Sequence, residues 1–223
     1  MDTSSFTGSV ALVEDGMVVS EVVARLRASH SEALLPIVNE VLERASTTLT
    51  DVDLLAVGTG PGSFTGVRIA LATAKGFRLV TGKPLVGVPS LDALAAAAVG
   101  ARGPLAAVLD ARRDEVFVAL YHATAQGRDI LLPPTHGTPE AMGALVRQTA
   151  GNTELLAIGD LSAALWDRFT HGAGNGITVL PSVAGTPLAR FVAHEALSGL
   201  HPRDDGRLEP LYVRPSDAKL PTR

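Results

Sequence analysis

The chain reads Gly58-Thr59-Gly60-Pro61-Gly62-Ser63-Phe64-Thr65-Gly66-Val67-Arg68 between a short apolar run and a long one. The glycines permit positive φ angles and close approach of another backbone. Pro61 restricts one further φ angle, and the Ser63 hydroxyl is placed to accept a hydrogen bond from the first free amides of a following helix. We therefore predict a loop of one defined shape that leads from a strand into a helix.

The loop has two interpretations, a phosphate-binding turn or a tight structural turn. A helix N-terminus offers free amides and the positive end of a dipole to an anion. The known phosphate loops, however, carry a lysine or a downstream acidic residue at a fixed spacing, whereas the next lysine here, Lys75, lies well inside the helix. The structural turn is therefore favoured. The candidate loop residues are Gly60, Gly62, Ser63, Thr65 and Gly66.

Composition indicates a soluble globular protein of one large domain or two small ones. The 223 residues are 46% hydrophobic and 19% charged, the opposite balance to a disordered chain. Cysteine is absent, which excludes disulfides and thiolate chemistry. No apolar run has the length of a membrane span and the first residues do not resemble a signal peptide, so we expect a cytoplasmic protein with no membrane partner. The net charge of −4 gives no overall attraction for nucleic acid.

Apolar spacing and turn residues predict a mixed α/β protein. Strands are expected at residues 8–14, 17–24, 53–57, 85–88, 105–109, 116–122, 127–133, 155–158 and 177–180. Helices are expected at residues 31–45, 64–81, 91–99, 139–149, 161–169 and 188–200.

A boundary is predicted at residues 100–104, where Gly, Arg and Pro interrupt the apolar pattern. The two sides resemble each other. Asp2 precedes an apolar strand by a short turn, and Asp110 precedes another in the same way. This faint internal repeat predicts two copies of one α/β unit, residues 1–100 and residues 101–223.

The segment 58–68, continued through residues 69–78 and 84–91, closely resembles the bacterial TsaB family. Other stretches carry the same resemblance: Asp2-Thr3-Ser4, Ser9-Val10-Ala11-Leu12, His30-Ser31-Glu32, Asp110-Ala111-Arg112, Glu115-Val116-Phe117 and Glu209-Pro210-Leu211-Tyr212-Val213-Arg214. The resemblance is densest over residues 51–92 and thin between about 125 and 205. It implies two RNase H-like lobes of the fold shared by actin, sugar kinases and Hsp70.

The resemblance also implies partners. TsaB-type proteins are dimerisation subunits of the complex that makes threonylcarbamoyladenosine beside the tRNA anticodon, and the resemblance implies pairing through the first two helices. The implied partners are the threonylcarbamoyl transferase subunit, the associated small ATPase and a second copy of this chain, with tRNA met only through the complex. The interface residues then expected are Leu34, Val38, Val41, Val67, Ala70, Leu71, Ala74 and Phe77. Burial of these side chains in the chain's own core explains the pattern equally well.

Two carboxylates are candidates for a vestigial nucleotide site. In the superfamily that the resemblance implies, an Asp on the first hairpin of each lobe works with nucleotide and metal, and Asp2 and Asp110 occupy these places. The alternative is that each carboxylate accepts amide bonds from its own turn, and this alternative is favoured. No two histidines are four residues apart, so we expect no metal site, no cofactor and no catalytic residue.

The expected function is that of a non-catalytic subunit that supports the ATP-dependent transferase. The alternative is an enzyme of the same fold that hydrolyses or transfers nucleotide through Asp2, Asp110 and the glycine-rich loop. A peptidase activity is weaker still, because neither a nucleophile motif nor a metal motif is present.

One departure from the family pattern leads to a further expectation. Relatives begin with a short apolar strand before Asp-Thr-Ser, whereas only Met1 precedes Asp2 here. Loss of an interior strand leaves ladder groups unpaired on both neighbours and a slot in the core. We therefore predict an upstream apolar segment of about four or five residues in the natural product, a usual strand length.

Overall fold

The computed structural model describes residues 1–5, 7–25, 30–125, 127–180 and 188–214, and only the backbone of residues 30–33. Its strands are β1 (Thr7–Glu14), β2 (Met17–Arg25), β3 (Leu55–Gly58), β4 (Leu85–Val88), β5 (Gly103–Arg112), β6 (Glu115–Ala123), β7 (Arg128–Gly137), β8 (Leu155–Asp160) and β9 (Ile177–Val179). Its helices are α1 (His30–Arg44), α2 (Phe64–Thr81), α3 (Ser90–Ala96), α4 (Pro139–Ala150), α5 (Ala163–Ala173) and α6 (Ala189–Leu197).

Each strand and helix expected from the sequence has a counterpart in the structure, and the differences lie at the ends. Helix α3 ends earlier than expected, because the amides of Ala97 and Ala98 donate to carbonyls only three residues back and so tighten the last turn. Helix α5 continues to Ala173, where Gly174 leaves the helix with a φ of 68°. Strand β7 runs through Pro133 and Pro134, which is tolerated because β7 lies at the edge of its sheet.

The carboxy-terminal sheet has the strand order β7-β6-β5-β8-β9. Strand β5 is antiparallel to β6 and parallel to β8. One face of this sheet packs against α4 and α5 through buried residues such as Val146 and Phe169. The other face packs against α3 through Leu91 and Leu94. The continuous apolar run of β5 follows from burial on both faces.

The amino-terminal strands follow the same order when Met1 and Asp2 are included. Strand β1 pairs with β2 antiparallel, and β3 pairs with β4 parallel. Met1 and Asp2 lie between the two pairs: Asp2 and Ser9 exchange backbone hydrogen bonds of 2.9 Å, and the Gly58 amide donates to the Met1 carbonyl at 3.0 Å. Met1 and Asp2 therefore take the central position that β5 holds in the other sheet.

A groove of about 650 Å³ continues this central position between β1 and β3. Its walls include Val10, Leu12 and Leu55 from the strands and Val41 and Phe77 from the helices. The Met1 amino group lies at one end and donates to the Ala56 carbonyl at 2.8 Å. This groove has the form of the slot expected from the sequence, and an upstream segment that would fill it stays a prediction.

The amino group of Met1 leads to a pH prediction. Burial lowers the pKa of this amine to about 6 from its usual 8. The folded chain thus binds the proton less tightly than the unfolded chain, and the free energy of unfolding should rise as the pH increases from about 6 to 8. The rise should be on the order of 2 kcal/mol by linkage. Urea denaturation at both pH values measures it.

Two extensions of four residues placed before Met1 provide the controls. Both convert the amine to an amide and should remove the part of the pH dependence between 6 and 8 that this amine contributes. An apolar extension should in addition raise the unfolding free energy, because it can pair with β1 and β3, whereas a Gly-Ser extension should not. Equal stability of the two extended chains would contradict the predicted strand.

Helix α6 and the described residues after it, 198–214, lie against the amino-terminal strands. We call residues 198–214 the tail. Helix α6 packs on β1, β3 and α3, and the Ala189 amide donates to Ser9 Oγ at 3.0 Å. Farther on, the Asp204 amide donates to the Leu85 carbonyl at 2.7 Å. Helix α6 belongs to the expected unit of residues 101–223, but it packs on the strands of residues 1–100. Its apolar face covers Val86 and Val88 of β4.

Candidate partner-binding site

The glycine-rich loop ends in the cap that the sequence predicts. Ser63 Oγ accepts a hydrogen bond from the Gly66 amide at 3.2 Å, and α2 begins at the next residue, Phe64. Gly60 has a φ of 91°, which a side chain would strain. Thr65 is exposed. Gly82, with a φ of 69°, ends the helix.

Gly62 and Gly66 leave room for the backbone of the segment Asp2-Thr3-Ser4, which packs against the loop. A Cβ on Gly62 would lie 2.3 Å from the Ser4 carbonyl oxygen, and one on Gly66 would lie 2.0 Å from that of Thr3. Thr3 Oγ1 donates to the Gly66 carbonyl at 2.7 Å, and the Ser63 amide donates to the Ser4 carbonyl at 2.6 Å. The chain's own backbone fills the concave side of this loop. This arrangement favours the structural turn over the anion site.

Asp2 is 1% exposed and serves the same turn. Its Oδ1 accepts hydrogen bonds from the Ser4 amide at 3.0 Å and the Ser4 hydroxyl at 2.7 Å, and its Oδ2 accepts one from Ser90 Oγ at 3.2 Å. Burial raises the pKa of this carboxyl above its usual value, although these hydrogen bonds oppose the shift. A carboxylate enclosed in this way holds its own turn and faces no solvent-filled site.

Asp110 has a similar local role at the β5–β6 turn. Its Oδ1 accepts the Arg112 amide at 2.7 Å. Three successive residues of that turn, Arg112, Arg113 and Asp114, have φ angles of 63°, 54° and 64°. The carboxylate stabilises a left-handed turn that side chains rarely adopt. Both aspartates therefore make the hydrogen bonds that the structural alternative requires.

The structure corrects the expected interface residues. Seven of them are each 5% exposed or less: Leu34, Val38, Val41, Val67, Ala70, Leu71 and Ala74. All of these except Val67 belong to one core cluster with residues of β1, β3 and β4, and Phe77 packs against that cluster. The seven buried side chains are covered by the chain's own core and are not open to a partner, whereas Phe77 is partly buried. The structure thus favours the alternative of burial in the chain's own core for these side chains. The sequence left both interpretations open because α2 is apolar on most of its circumference and does not mark which side meets the sheet.

The opposite side of α2 is exposed. Phe64, Arg68, Ala72, Gly76 and Val80 follow one another at intervals of four residues, and all five are exposed. We call this row the outer ridge. Phe64 and Val80 are 51% and 82% exposed, and Leu79 beside them is 86% exposed. The middle of the ridge is small, so another helix could approach its backbone closely.

Helix α1 has a similar exposed side. Leu35 is 50% exposed, and Pro36, Asn39 and Glu43 are exposed as well. Ser31 is a residue type that caps helices, and its side chain lies outside the described part of the chain. Helices α1 and α2 contact each other, and both leave apolar side chains in solvent. Exposed apolar groups of this size on neighbouring elements are typical of an interaction surface.

The charges of the two helices differ. Helix α2 carries Arg68, Lys75 and Arg78 and no acidic residue. Arg78 pairs with Asp204 of the tail. Helix α1 carries Glu32, Glu40 and Glu43 against one arginine, Arg44.

Sequence reasoning missed one cluster at the start of the outer ridge. The Arg68 guanidinium carbon lies 3.7 Å from the Phe64 ring centroid, and Arg68 Nε donates to the Tyr212 hydroxyl at 2.7 Å. The spacing of Phe64 and Arg68 on one helix could have indicated their contact. Nothing local could have indicated Tyr212, which is 144 residues farther along the chain than Arg68.

Neither a metal centre nor a membrane-spanning helix is found in the part of the chain that the structure describes. No group of three or more His, Asp or Glu side chains there could hold a metal ion. None of the helices in those ranges combines the length and apolar content needed to cross a bilayer.

A family model described as TsaD: tRNA N6-adenosine threonylcarbamoyltransferase matches residues 14–170. The "tRNA threonylcarbamoyladenosine biosynthesis protein TsaB" of Escherichia coli (strain K12) is 40% identical over 57% of this chain and 55% of its own length. The protein of that name from Bacillus subtilis (strain 168) is 35% identical over 54% of this chain and 53% of its own. The chain thus spans about half the length of these curated relatives.

A solved structure resembles the chain over nearly its whole length. It is described as an uncharacterized protein from Pseudomonas aeruginosa with similarity to peptidase YEAZ. It is 26% identical, with a TM-score of 0.76, and the match covers 96% of this chain and 97% of that one. These findings confirm the resemblance to TsaB-type proteins, and the mixed α/β fold fits the actin-like and RNase H-like superfamily.

Proposed function

This chain belongs to the family described as TsaD: tRNA N6-adenosine threonylcarbamoyltransferase. Within that family we propose that it is a non-catalytic partner subunit in threonylcarbamoyladenosine biosynthesis. It binds and supports the transferase subunit, and through it meets the small ATPase and tRNA. The relatives named TsaB support this role. Residues 1–100 and 101–223 are proposed as its two RNase H-like lobes, on the correspondence of their strand orders.

The observation that carries the proposal is the exposed side of α1 and α2. Leu35, Leu79 and Val80 are all at least 50% exposed on two helices that contact each other, and exposed apolar side chains gain free energy when a partner covers them. Ala72 and Gly76 leave the middle of the outer ridge low enough for helix-to-helix packing at 8–10 Å. The helices expected from the sequence are kept in this proposal, and the contacting side is the outer one.

The same surface suits a second copy of the chain when the transferase is absent. Helix α2 has no acidic residue, whereas α1 has three. Packing of α1 from one copy beside α2 of the other brings opposite charges together around the apolar contacts. A two-fold arrangement uses each helix once in this way.

A non-catalytic role is supported by the surroundings of the candidate aspartates. Asp2 is enclosed by Ser4 and Ser90, and Thr3 and Ser4 occupy the concave side of the glycine-rich loop. In this arrangement the Asp2 carboxylate and the concave side of the loop are occupied by the chain's own groups and are not open to a nucleotide.

Co-purification tests the proposal directly. The chain and the transferase subunit of the same organism are co-expressed with a tag on the transferase only. Retention of the chain at a defined stoichiometry, with formation of modified tRNA that depends on both proteins and ATP, is the expected result. Absence of binding under conditions where both proteins are folded would refute the function.

An activity measurement separates this proposal from the enzyme alternative. We expect the purified chain alone to show no ATP hydrolysis above a blank and no tRNA modification. The Asp110→Ala variant serves as the control, because a contaminating ATPase would be unaffected by it. Steady turnover by the chain that disappears in Asp110→Ala would favour the enzyme.

A further inference from the structure

The cluster of Phe64, Arg68 and Tyr212 joins two distant parts of the chain at one surface point. The Phe64 and Tyr212 ring centroids are 5.7 Å apart, and the Arg68 guanidinium lies 3.7 Å from the first and 5.5 Å from the second. Both rings are 51% exposed. Cation–π contacts and the Tyr212 hydroxyl hold the arginine in one orientation.

Tyr212 is held there by the tail, which is fastened to the sheet. The Leu211 amide donates to the Thr59 carbonyl at 2.8 Å, beside the glycine-rich loop. Leu208 covers Gly87 of β4, where a Cβ would lie 2.3 Å from its methyl carbon. The cluster is therefore preorganised by the fold, which lowers the entropy lost when a partner binds it.

The chemistry of the cluster points to a carboxylate. Arg68 uses its Nε for Tyr212, and within the described ranges its Nη groups have no hydrogen-bond partner. A guanidinium with free Nη donors binds a planar carboxylate well. The half-exposed rings beside it suit an apolar side chain next to that carboxylate. Arginine and aromatic residues together are the types that dominate protein interfaces.

A nucleic-acid ligand fits less well. Guanidinium already covers one face of Phe64, which removes that face from base stacking. Binding of a single strand also needs several cations along its backbone, whereas Arg78 is paired with Asp204 and the whole chain has a net charge of −4. The cluster is therefore better suited to a protein.

We propose that Phe64, Arg68 and Tyr212 anchor the transferase subunit at the end of the outer ridge by binding a carboxylate that it carries beside an apolar side chain. This inference rests on the proposed function and adds the tail to the partner surface. Phe64 and Arg68 are the first two members of the outer ridge, so the anchor continues the same surface. Tyr212 acts as a positioning residue for Arg68.

The test is calorimetric titration of the full chain with the transferase subunit at low and high salt. Arg68→Ala should weaken binding by about thirtyfold or more, the usual size for an interface hot spot. Arg68→Lys should recover little, because an ammonium group cannot make the planar contacts. Tyr212→Phe should weaken binding by about fivefold through loss of one hydrogen bond. Wild-type binding should weaken with salt more steeply than that of Arg68→Ala.

Arg102→Ala is the matched control, since Arg102 is exposed and among the described residues its side chain hydrogen-bonds only to the neighbouring Ala101 carbonyl; it should bind as the wild type does. Thermal melts check that each variant is folded. Wild-type affinity of Arg68→Ala would overturn the anchor and leave the proposed function standing. Failure of the wild type itself to bind would overturn both. Loss of tRNA binding by Arg68→Ala with unchanged protein binding would also overturn the anchor.

Discussion

Ala72→Glu is expected to abolish the association with the transferase subunit and with a second copy, while the fold stays intact. Ala72 is exposed in the middle of the outer ridge, so a charge there is solvated in the free chain and should change stability by no more than about 0.5 kcal/mol. A partner helix packed on the ridge would desolvate that charge at a cost of several kcal/mol. We expect affinity to fall by about a hundredfold or more.

The neighbouring Ala70 supplies the opposite case. It is fully buried against the sheet, and Ala70→Glu should unfold much of the chain, because an unpaired buried charge costs a large part of a typical stability of about 5–15 kcal/mol. Ala72→Ser is the size control and should bind nearly as the wild type does. Size exclusion, pull-down and circular dichroism separate these outcomes. Normal association of folded Ala72→Glu would place the interface elsewhere.

Gly66→Ala should be the most damaging small substitution in the loop. Its Cβ would lie 2.0 Å from the Thr3 carbonyl oxygen, so that either the segment 2–4 or the first turn of α2 must move. We expect a loss of about 3 kcal/mol of unfolding free energy, at the upper end for an overpacked site. Urea denaturation gives the value.

Gly76→Ala on the same helix is the matched control. A Cβ at Gly76 meets nothing within 4 Å, and alanine favours a helix over glycine by about 1 kcal/mol. This variant should therefore be slightly more stable than the wild type. If Gly66→Ala were as stable as Gly76→Ala, the close contact of the Thr3 carbonyl with Gly66 would be contradicted.

Local sequence was sufficient for the existence of the elements and, in α2, for the ends as well. Residues 64–81 were predicted as a helix with the same limits that α2 has, because Ser63 and Gly82 mark its ends and the apolar spacing is helical throughout. Close approach of another backbone to the glycine-rich loop was also predictable, because several glycines in a short run leave no Cβ atoms in the way. The backbone that approaches, Thr3 and Ser4, was not predictable, because contacts about sixty residues apart leave no local periodicity.

The internal repeat shows what a family resemblance adds to local patterns. Asp2 and Asp110 were recognised as equivalent turn residues, and both make the expected hydrogen bonds within their turns. The crossing of α6 onto the amino-terminal strands was not foreseen. The pattern of an amphipathic helix predicts that its apolar face is buried, but it does not indicate which sheet buries that face.

The sequence by itself determined that α2 is a long apolar helix entered through a capped glycine-rich loop, since these properties depend on residues within one or two turns of each other. Only the tertiary structure decided that Ala70 faces the sheet and Ala72 faces solvent. Both are alanines on a helix that is apolar on most sides, so their local patterns do not distinguish them. Tertiary packing alone also brought Tyr212 to Arg68. The tail is held there by hydrogen bonds from the Asp204 and Leu211 amides to the Leu85 and Thr59 carbonyls, and these bonds depend on the assembled sheet.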